Sequence, residues 1–176
     1  MRSIVKKINI QFALLCELGL DEQQLLNLAL RVRLNAQAPY SNYFVGAAVL
    51  SEKNNIYTGC NVECCNLTGT THAEQNAIDS MIAAEGPTKI KVITIAAAHK
   101  NTNLIILKPP KRISGLLLLE KALAPCGHCL QRIWENCNND PNVKILSLGP
   151  KGYITIATIG DTLPIRFGPK DIQFNK

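Results

Sequence analysis

Four residues in two short stretches are of types that do chemistry together. "TTHAEQNAI" (70–78) carries His72 and Glu74, and "APCGHCLQ" (124–131) carries Cys126 and Cys129 around Gly127 and His128. Cysteines three apart on a helix share one face. At a helix N-terminus the dipole and the free N–H groups favour thiolate, the form that binds metal. Gly127 is expected to let the backbone turn closely between the two. The pair alone also fits a redox dithiol or two buried structural cysteines. His72 alone fits a surface or capping histidine, and Thr71-x-x-Glu74 fits a capping box in which Glu74 reaches back to a backbone N–H. Taken together, one His and two Cys supply three ligands for Zn²⁺. The fourth tetrahedral position is then left to water, the pattern of a catalytic and not a structural site. His128 competes as a ligand but is expected to point away from the face that carries the sulfurs.

Such a constellation needs two helices that begin at one edge of one sheet. Residues 4–18 read as an amphipathic helix stopped at Gly19. Asp21 then caps a second helix with Leu25, Leu28, Ala29 and Val32 on one face. "FVGAAVL" (44–50) and "IYTGCNVE" (56–63) read as strands joined by the loop "SEKNN". Residues 71–84 return to helical spacing, and "IKVITIAAA" (90–98) has the apolar density of a buried central strand. Leu130, Ile133, Trp134 and Cys137 fall at helical spacing, and "VKILSLG" and "YITIATIG" complete the set as strands. Strands separated by helices predict an α/β fold, a three-layer α/β/α sandwich on a mixed five-stranded sheet. The expectation is a single domain over 1–176, with N-terminal helices about 4–36. In open α/β sheets the strand-to-helix ends converge on a ligand crevice, which would bring the two helix starts together. Residues 99–123 combine polar residues, a Pro109–Pro110 break and two apolar runs. They read as an atypical insertion, a loop excursion near the cysteines.

The chain has 176 residues, 47% of them hydrophobic and only 18% charged, which reads as one soluble, globular domain and not as a disordered chain. Its formal charge of +6 is spread without a dense Lys/Arg run, so solvated surface is the expectation and not a nucleic-acid footprint. Asn9, Gln11 and Glu17 break up the apolar stretch around "FALLC", which does not read as an export signal, and "GLLLL" (115–119) is too short to span a membrane. A reduced, cytoplasmic setting is expected for the seven cysteines, where such residues are buried, metal-bound or catalytic more often than bridged.

With these residues in hand, the sequence resembles a known family. His-x-Glu followed by Pro-Cys-x-x-Cys is the signature of zinc nucleobase deaminases. "YSNYFVGAAV" (40–49), "GCNVE" (59–63), "HAEQNAI" (72–78) and "PCGHCLQ" (125–131) stand in the order seen in cytidine deaminases acting on free nucleosides. The segment "LPIRFGPKDI" (163–172) and a His where small tetrameric enzymes use a third Cys are similar to the larger dimeric enzymes. The resemblance spans residues 25–172 outside 99–123. It implies one Zn²⁺ per subunit, held by His72, Cys126 and Cys129, which lowers the pKa of a bound water so that hydroxide can attack C4 of cytosine. It implies that Glu74 moves the water proton to N3 and then to the departing ammonia. Asn61 and Glu63 would hold the ribose 3′-hydroxyl, Tyr43 would pack on the pyrimidine, and Ala73 joins the substrate-binding set. The implied reaction is hydrolysis of cytidine and 2′-deoxycytidine to the uridines, as in pyrimidine salvage. A homo-oligomer, dimer or tetramer, is implied, with no membrane or nucleic-acid partner.

Three features depart from the family pattern. Leu130 stands where Arg is common, and loss of that donor to the thiolates is expected to tune the site without inactivating it. Cys64 and Cys65 follow the Asn-Val-Glu motif and are expected to be small buried thiols. The 99–123 segment is the third. Alternative activities are deamination of another aminopyrimidine nucleoside, of the blasticidin type, or of cytosine in nucleic acid. An inactive zinc-binding regulator is disfavoured by the complete ligand set and Glu74. Asn61 and Glu63 favour a free 3′-hydroxyl over an embedded nucleotide.

Overall fold

Along β4 (Ile90–His99) almost every side chain is apolar and buried, because helices cover both faces of the sheet. The computed structural model describes residues 3, 5–102, 104, 123–149 and 153–168. The elements in chain order are β1 (Gln11–Ala13), α1 (Leu20–Val32), β2 (Tyr43–Ser51), β3 (Ile56–Cys60), α2 (Ala73–Glu85), β4, α3 (Gly127–Glu135), β5 (Lys144–Leu148), β6 (Ile154–Thr158) and α4 (Ile159–Thr162). The strand order is β1-β6-β5-β4-β2-β3, and β4 and β5 are parallel while the other neighbours are antiparallel. Alternation along the strands sorts the core into two layers. Ala47, Val49, Ile93, Ile95 and Ile145 meet Ala77 and Ile78 of α2 and Ile133 of α3. Ala48, Ala96, Leu146 and Leu148 meet Leu25, Leu26 and Ala29 of α1.

Two glycines allow the helices to approach this closely. A Cβ at Gly46 would lie 2.1 Å from the Ala29 carbonyl oxygen, and one at Gly59 would lie 2.3 Å from the Ala77 nitrogen. Their neighbours are helix backbone, which cannot yield as a flexible side chain can. Gly59 therefore sets how near the first turn of α2, with Glu74 in it, comes to the sheet.

Among the described residues the sheet has six strands where five were expected, and residues 5–18 do not form the helix expected over 4–18. Gln11, Phe12 and Ala13 pair with Ile156, Thr155 and Ile154, and a 3₁₀ turn follows at Leu15–Glu17. The free edge of β6 offers unpaired backbone groups, and pairing with them outweighs a local helical pattern. Gly19 is the N-cap of α1, two positions before the expected cap at Asp21. Most of the 99–123 segment and residues 169–172 lie outside the described residues.

At its far end α2 is tied to the β2–β3 hairpin. Oε1 of Glu85 accepts from Ser51 Oγ at 2.9 Å, Asn55 Nδ2 at 2.7 Å and the Tyr57 hydroxyl at 2.9 Å. Burial by itself would raise this carboxyl, and the donors, Asn55 and Ser51 foremost, outweigh it and hold the group below its ordinary value of 4.5. A depressed folded-state pKa means stabilisation that is complete above the ordinary value and lost as pH falls through the folded one. Glu85→Gln is therefore expected to lower the melting temperature by a few degrees at neutral pH. Thermal melts in increasingly acidic buffer should show the gap to the parent protein closing. A gap that stays constant with pH would assign the effect to shape and not to charge.

Candidate active site

The two helices that carry the motif residues begin at the same edge of the sheet, beyond the C-terminal ends of the parallel pair β4 and β5. Each helix precedes one of those strands and runs back along it. The approach to α2 is clamped. Val62 and Thr71 exchange backbone hydrogen bonds at 3.0 and 2.9 Å, and Glu63 N–H donates to the Gln37 carbonyl at 2.8 Å. This puts the helix start one residue later than a Thr71 cap would. His72 is the N-cap with extended backbone and no side-chain cap bond, so Glu74 falls in the first turn without closing a capping box. Glu74 is only 6% exposed and lines the cavity described below. On the other side Cys126 is the N-cap of α3, and Leu130 N–H donates to its carbonyl at 2.9 Å. The amphipathic face of α3 buries Cys129, Leu130, Ile133 and Trp134. Arg132 pairs with Asp79 of α2, which fixes the two helices to each other.

His72 Nδ1 lies 3.2 Å from Cys129 Sγ and 3.5 Å from Cys126 Sγ, and the two sulfurs are 3.6 Å apart. Bond lengths of about 2.3 Å to sulfur and about 2.0 Å to nitrogen at a tetrahedral angle require edges of roughly 3.8 Å and roughly 3.5 Å. The three atoms therefore sit where three corners of one zinc tetrahedron belong. Among the described residues this is the one His/Cys/Asp/Glu group placed to hold a metal. The chemistry of the donors agrees. Cys129 is fully buried, and burial, the Glu74 carboxylate and Cys126 all push its thiol up. The helix N-terminus does not overcome these effects, so a thiolate at Cys129 calls for a cation among the ligands.

Next to the three ligand atoms opens a cavity of about 300 Å³. His72, Cys126 and Glu74 lie at one part of its wall, Ile95 and Ala97 of β4 form apolar surface, and Asn61 and Glu63 add polar groups. Asn61 is locked by two bonds to β2, accepting from Val45 N–H at 2.9 Å and donating to the Tyr43 carbonyl at 2.9 Å. Glu63 is 8% exposed. Burial would raise its carboxyl, but the Ser41 hydroxyl and the Tyr40 and Ser41 N–H groups outweigh that and hold it below the ordinary value. Tyr43 is half-buried with its ring edge towards His99, centroids 5.3 Å apart. Burial pushes its phenol up against the opposing pull of the Arg33 guanidinium, which keeps it neutral. Ala73 is fully buried and lines the same cavity. The eight residues expected at the site thus belong to one locus: the three candidate ligands converge, Cys129 among them being buried in the core, and the other seven residues line the cavity.

Other sequence expectations meet a different outcome. A Cβ at Gly127 would meet open space, so no close approach demands glycine there. Cys64 and Cys65 are exposed and not buried, in a polar loop held by Thr70 and Asn66 whose turn leaves them towards solvent. His128 is exposed and outside the ligand group, with its ring centroid 5.9 Å from that of His72. Leu130 is 8% exposed in the core layer under the site, where it offers the thiolates no donor. The sequence reading missed Ser41 and Thr70 on the cavity wall. Ser41 stands inside the quoted "YSNY" stretch, but nothing in its spacing shows that it turns back to Glu63.

A family model described as the cytidine and deoxycytidylate deaminase zinc-binding region matches residues 20–143. A cytidine deaminase of Sporosarcina psychrophila is 30% identical over 155 residues, 88% of this chain and 97% of the relative. Cytidine deaminase 6 of Arabidopsis thaliana is 31% identical over 140 residues, 78% of this chain but 40% of that longer relative. Among solved structures, a cytidine deaminase from Burkholderia pseudomallei superposes with a TM-score of 0.63 at 28% identity, covering 82% of this chain and 97% of that one. One from Mycobacterium tuberculosis gives 0.62 at 25% identity, covering 85% and 99%.

Proposed function

The chain belongs to the cytidine and deoxycytidylate deaminase family, and from that premise we propose that it hydrolyses cytidine and 2′-deoxycytidine to the corresponding uridines with release of ammonia. The observation that carries the choice of a nucleoside is the cavity. At about 300 Å³ it lies at the lower end of the range for small-molecule sites, about 300–1,000 Å³. Its described wall holds two carboxylates, Glu63 and Glu74, and neither Lys nor Arg. Against that wall a phosphate would meet repulsion from the two carboxylates, and among the described lining residues no basic side chain to offset it. The deoxycytidylate side of the family is therefore disfavoured for this chain, and so is a nucleotide embedded in a strand.

His72, Cys126 and Cys129 would hold the zinc. When bound, zinc supplies a Lewis acid that brings the pKa of a water to about 7. Glu74 takes the proton of the attacking water, delivers it to N3 of the base, and afterwards passes a proton to the departing amine. Its burial keeps competing solvent away from that path. Asn61 and Glu63 receive the ribose, which orients C4 towards the ligand end of the cavity. Tyr43 packs an aromatic face near the ring. The reading extends to organisation: one catalytic domain over 1–176 with about 99–123 as an insertion, a cytoplasmic setting, and a homo-oligomer, dimer or tetramer. No helix among the described residues is long and apolar enough to cross a membrane.

The discriminating experiment follows ammonia release by the purified, zinc-loaded protein from cytidine, deoxycytidine, deoxycytidylate, cytosine and a single-stranded oligonucleotide. Turnover confined to the two nucleosides is expected. Preference for deoxycytidylate or for the oligonucleotide would overturn the cavity argument. Inertness towards all five, with activity on another aminopyrimidine nucleoside, would move the assignment to the blasticidin type.

A further inference from the structure

Glu63 is an anion surrounded by donors from a single turn. Its Oε1 accepts from the Ser41 hydroxyl, and its Oε2 accepts from Tyr40 N–H at 3.0 Å and Ser41 N–H at 3.2 Å. The turn is tight: Asn42 N–H donates to the Ala38 carbonyl at 3.1 Å, and Asn42 has a φ of 53°. Ser41 Oγ in turn accepts Tyr43 N–H at 3.0 Å. A hydroxyl has a single proton, so the one on Ser41 is committed to Glu63. An ionised carboxylate has about four acceptor positions, of which these bonds fill all but one. Glu63 therefore faces the cavity as an acceptor with one opening left, on Oε1.

We propose that Ser41 is a positioning residue that determines sugar specificity, by leaving Glu63 with one acceptor position, aligned for a sugar hydroxyl. The inference rests on the reading that Glu63 meets the ribose 3′-hydroxyl. With that hydroxyl in place every lone pair of the buried carboxylate is satisfied. A sugar that lacks it strands a desolvated charge, and such sites discriminate strongly against the analogue. Without the Ser41 hydroxyl, Oε1 has two open positions. The carboxylate can then turn, and water can take the place that the sugar would fill.

The test compares cytidine with 3′-deoxycytidine as substrates of the zinc-loaded protein, its Ser41→Ala variant and its Ser41→Thr variant. Ser41 is exposed, so the Ala variant keeps the core intact, and thermal melts of all three proteins check this. The parent protein is expected to favour cytidine by at least about 10²-fold in kcat/KM. Ser41→Ala is expected to raise KM for cytidine about tenfold while kcat stays within about twofold, and to shrink the preference by a similar factor. Ser41→Thr, which keeps a hydroxyl donor, should restore the preference. A loss of equal size on both nucleosides, or no change on either, would overturn the proposal for Ser41 and leave the ribose reading standing. A parent protein that treats the two nucleosides alike would overturn the ribose reading and this inference with it.

Discussion

Glu74→Gln is expected to reduce kcat on cytidine by at least about 10³-fold while the protein still carries one zinc per chain. The side chain sits in the first turn of α2 at 6% exposure, on the cavity wall and beside Cys129, so it is placed to exchange protons with a reacting group and not to serve as a cap. Gln has the same shape and cannot take a proton. The three ligand atoms are untouched, so metal content and melting temperature should stay close to those of the parent. KM should change little, because Glu74 is asked for its proton transfer and not for uniform binding. Steady-state kinetics with zinc measured on the same samples decides it. A variant with kcat within about tenfold of the parent would remove Glu74 from the proton path.

The second large effect is expected at the buried ligand. Cys129→Ala leaves His72 and Cys126 to hold the metal, and zinc affinity should fall by at least about 10²-fold. Metal content after dialysis should drop from one per chain to near zero, with activity falling in step. The parent protein should be stabilised by added zinc and the variant should not, since a ligand that binds only the folded state contributes about 2.7 kcal/mol at 100 times its Kd. Cys64→Ala and Cys65→Ala provide the contrast. Both cysteines are exposed and outside the ligand group, so zinc content and turnover should be unchanged. Loss of zinc from either of these, or its retention in Cys129→Ala, would redraw the ligand set.

The site was legible in the sequence because its chemistry is written in residue types at fixed offsets. His72 and Cys126 are the N-caps of their helices, and Glu74 and Cys129 follow within the first turn, so short motifs at two helix starts mark the whole group. The three-layer fold was legible for a related reason: β4 and β5 are apolar on both sides, which only helices on both faces explain. What escaped was decided by partners distant in the chain. Residues 11–13 pair with 154–156, and no local pattern announces an edge strand of three residues. The Ser41–Glu63 bond spans 22 positions and depends on the turn at Asn42. Cys64 and Cys65 read as core thiols because cysteine is commonly buried, but their loop turns them outward. The Thr71–Glu74 capping box failed because Thr71 is already paired with Val62.

The central claim is that one zinc, held by His72, Cys126 and Cys129, makes this chain a nucleoside deaminase. Its most direct test is to strip the metal with a chelator, return zinc in measured fractions, and follow conversion of cytidine to uridine at each step. The account predicts a rate that rises linearly with bound zinc and breaks at one equivalent per chain. Full turnover in the stripped protein, or a fully zinc-loaded protein that leaves cytidine untouched, would contradict it.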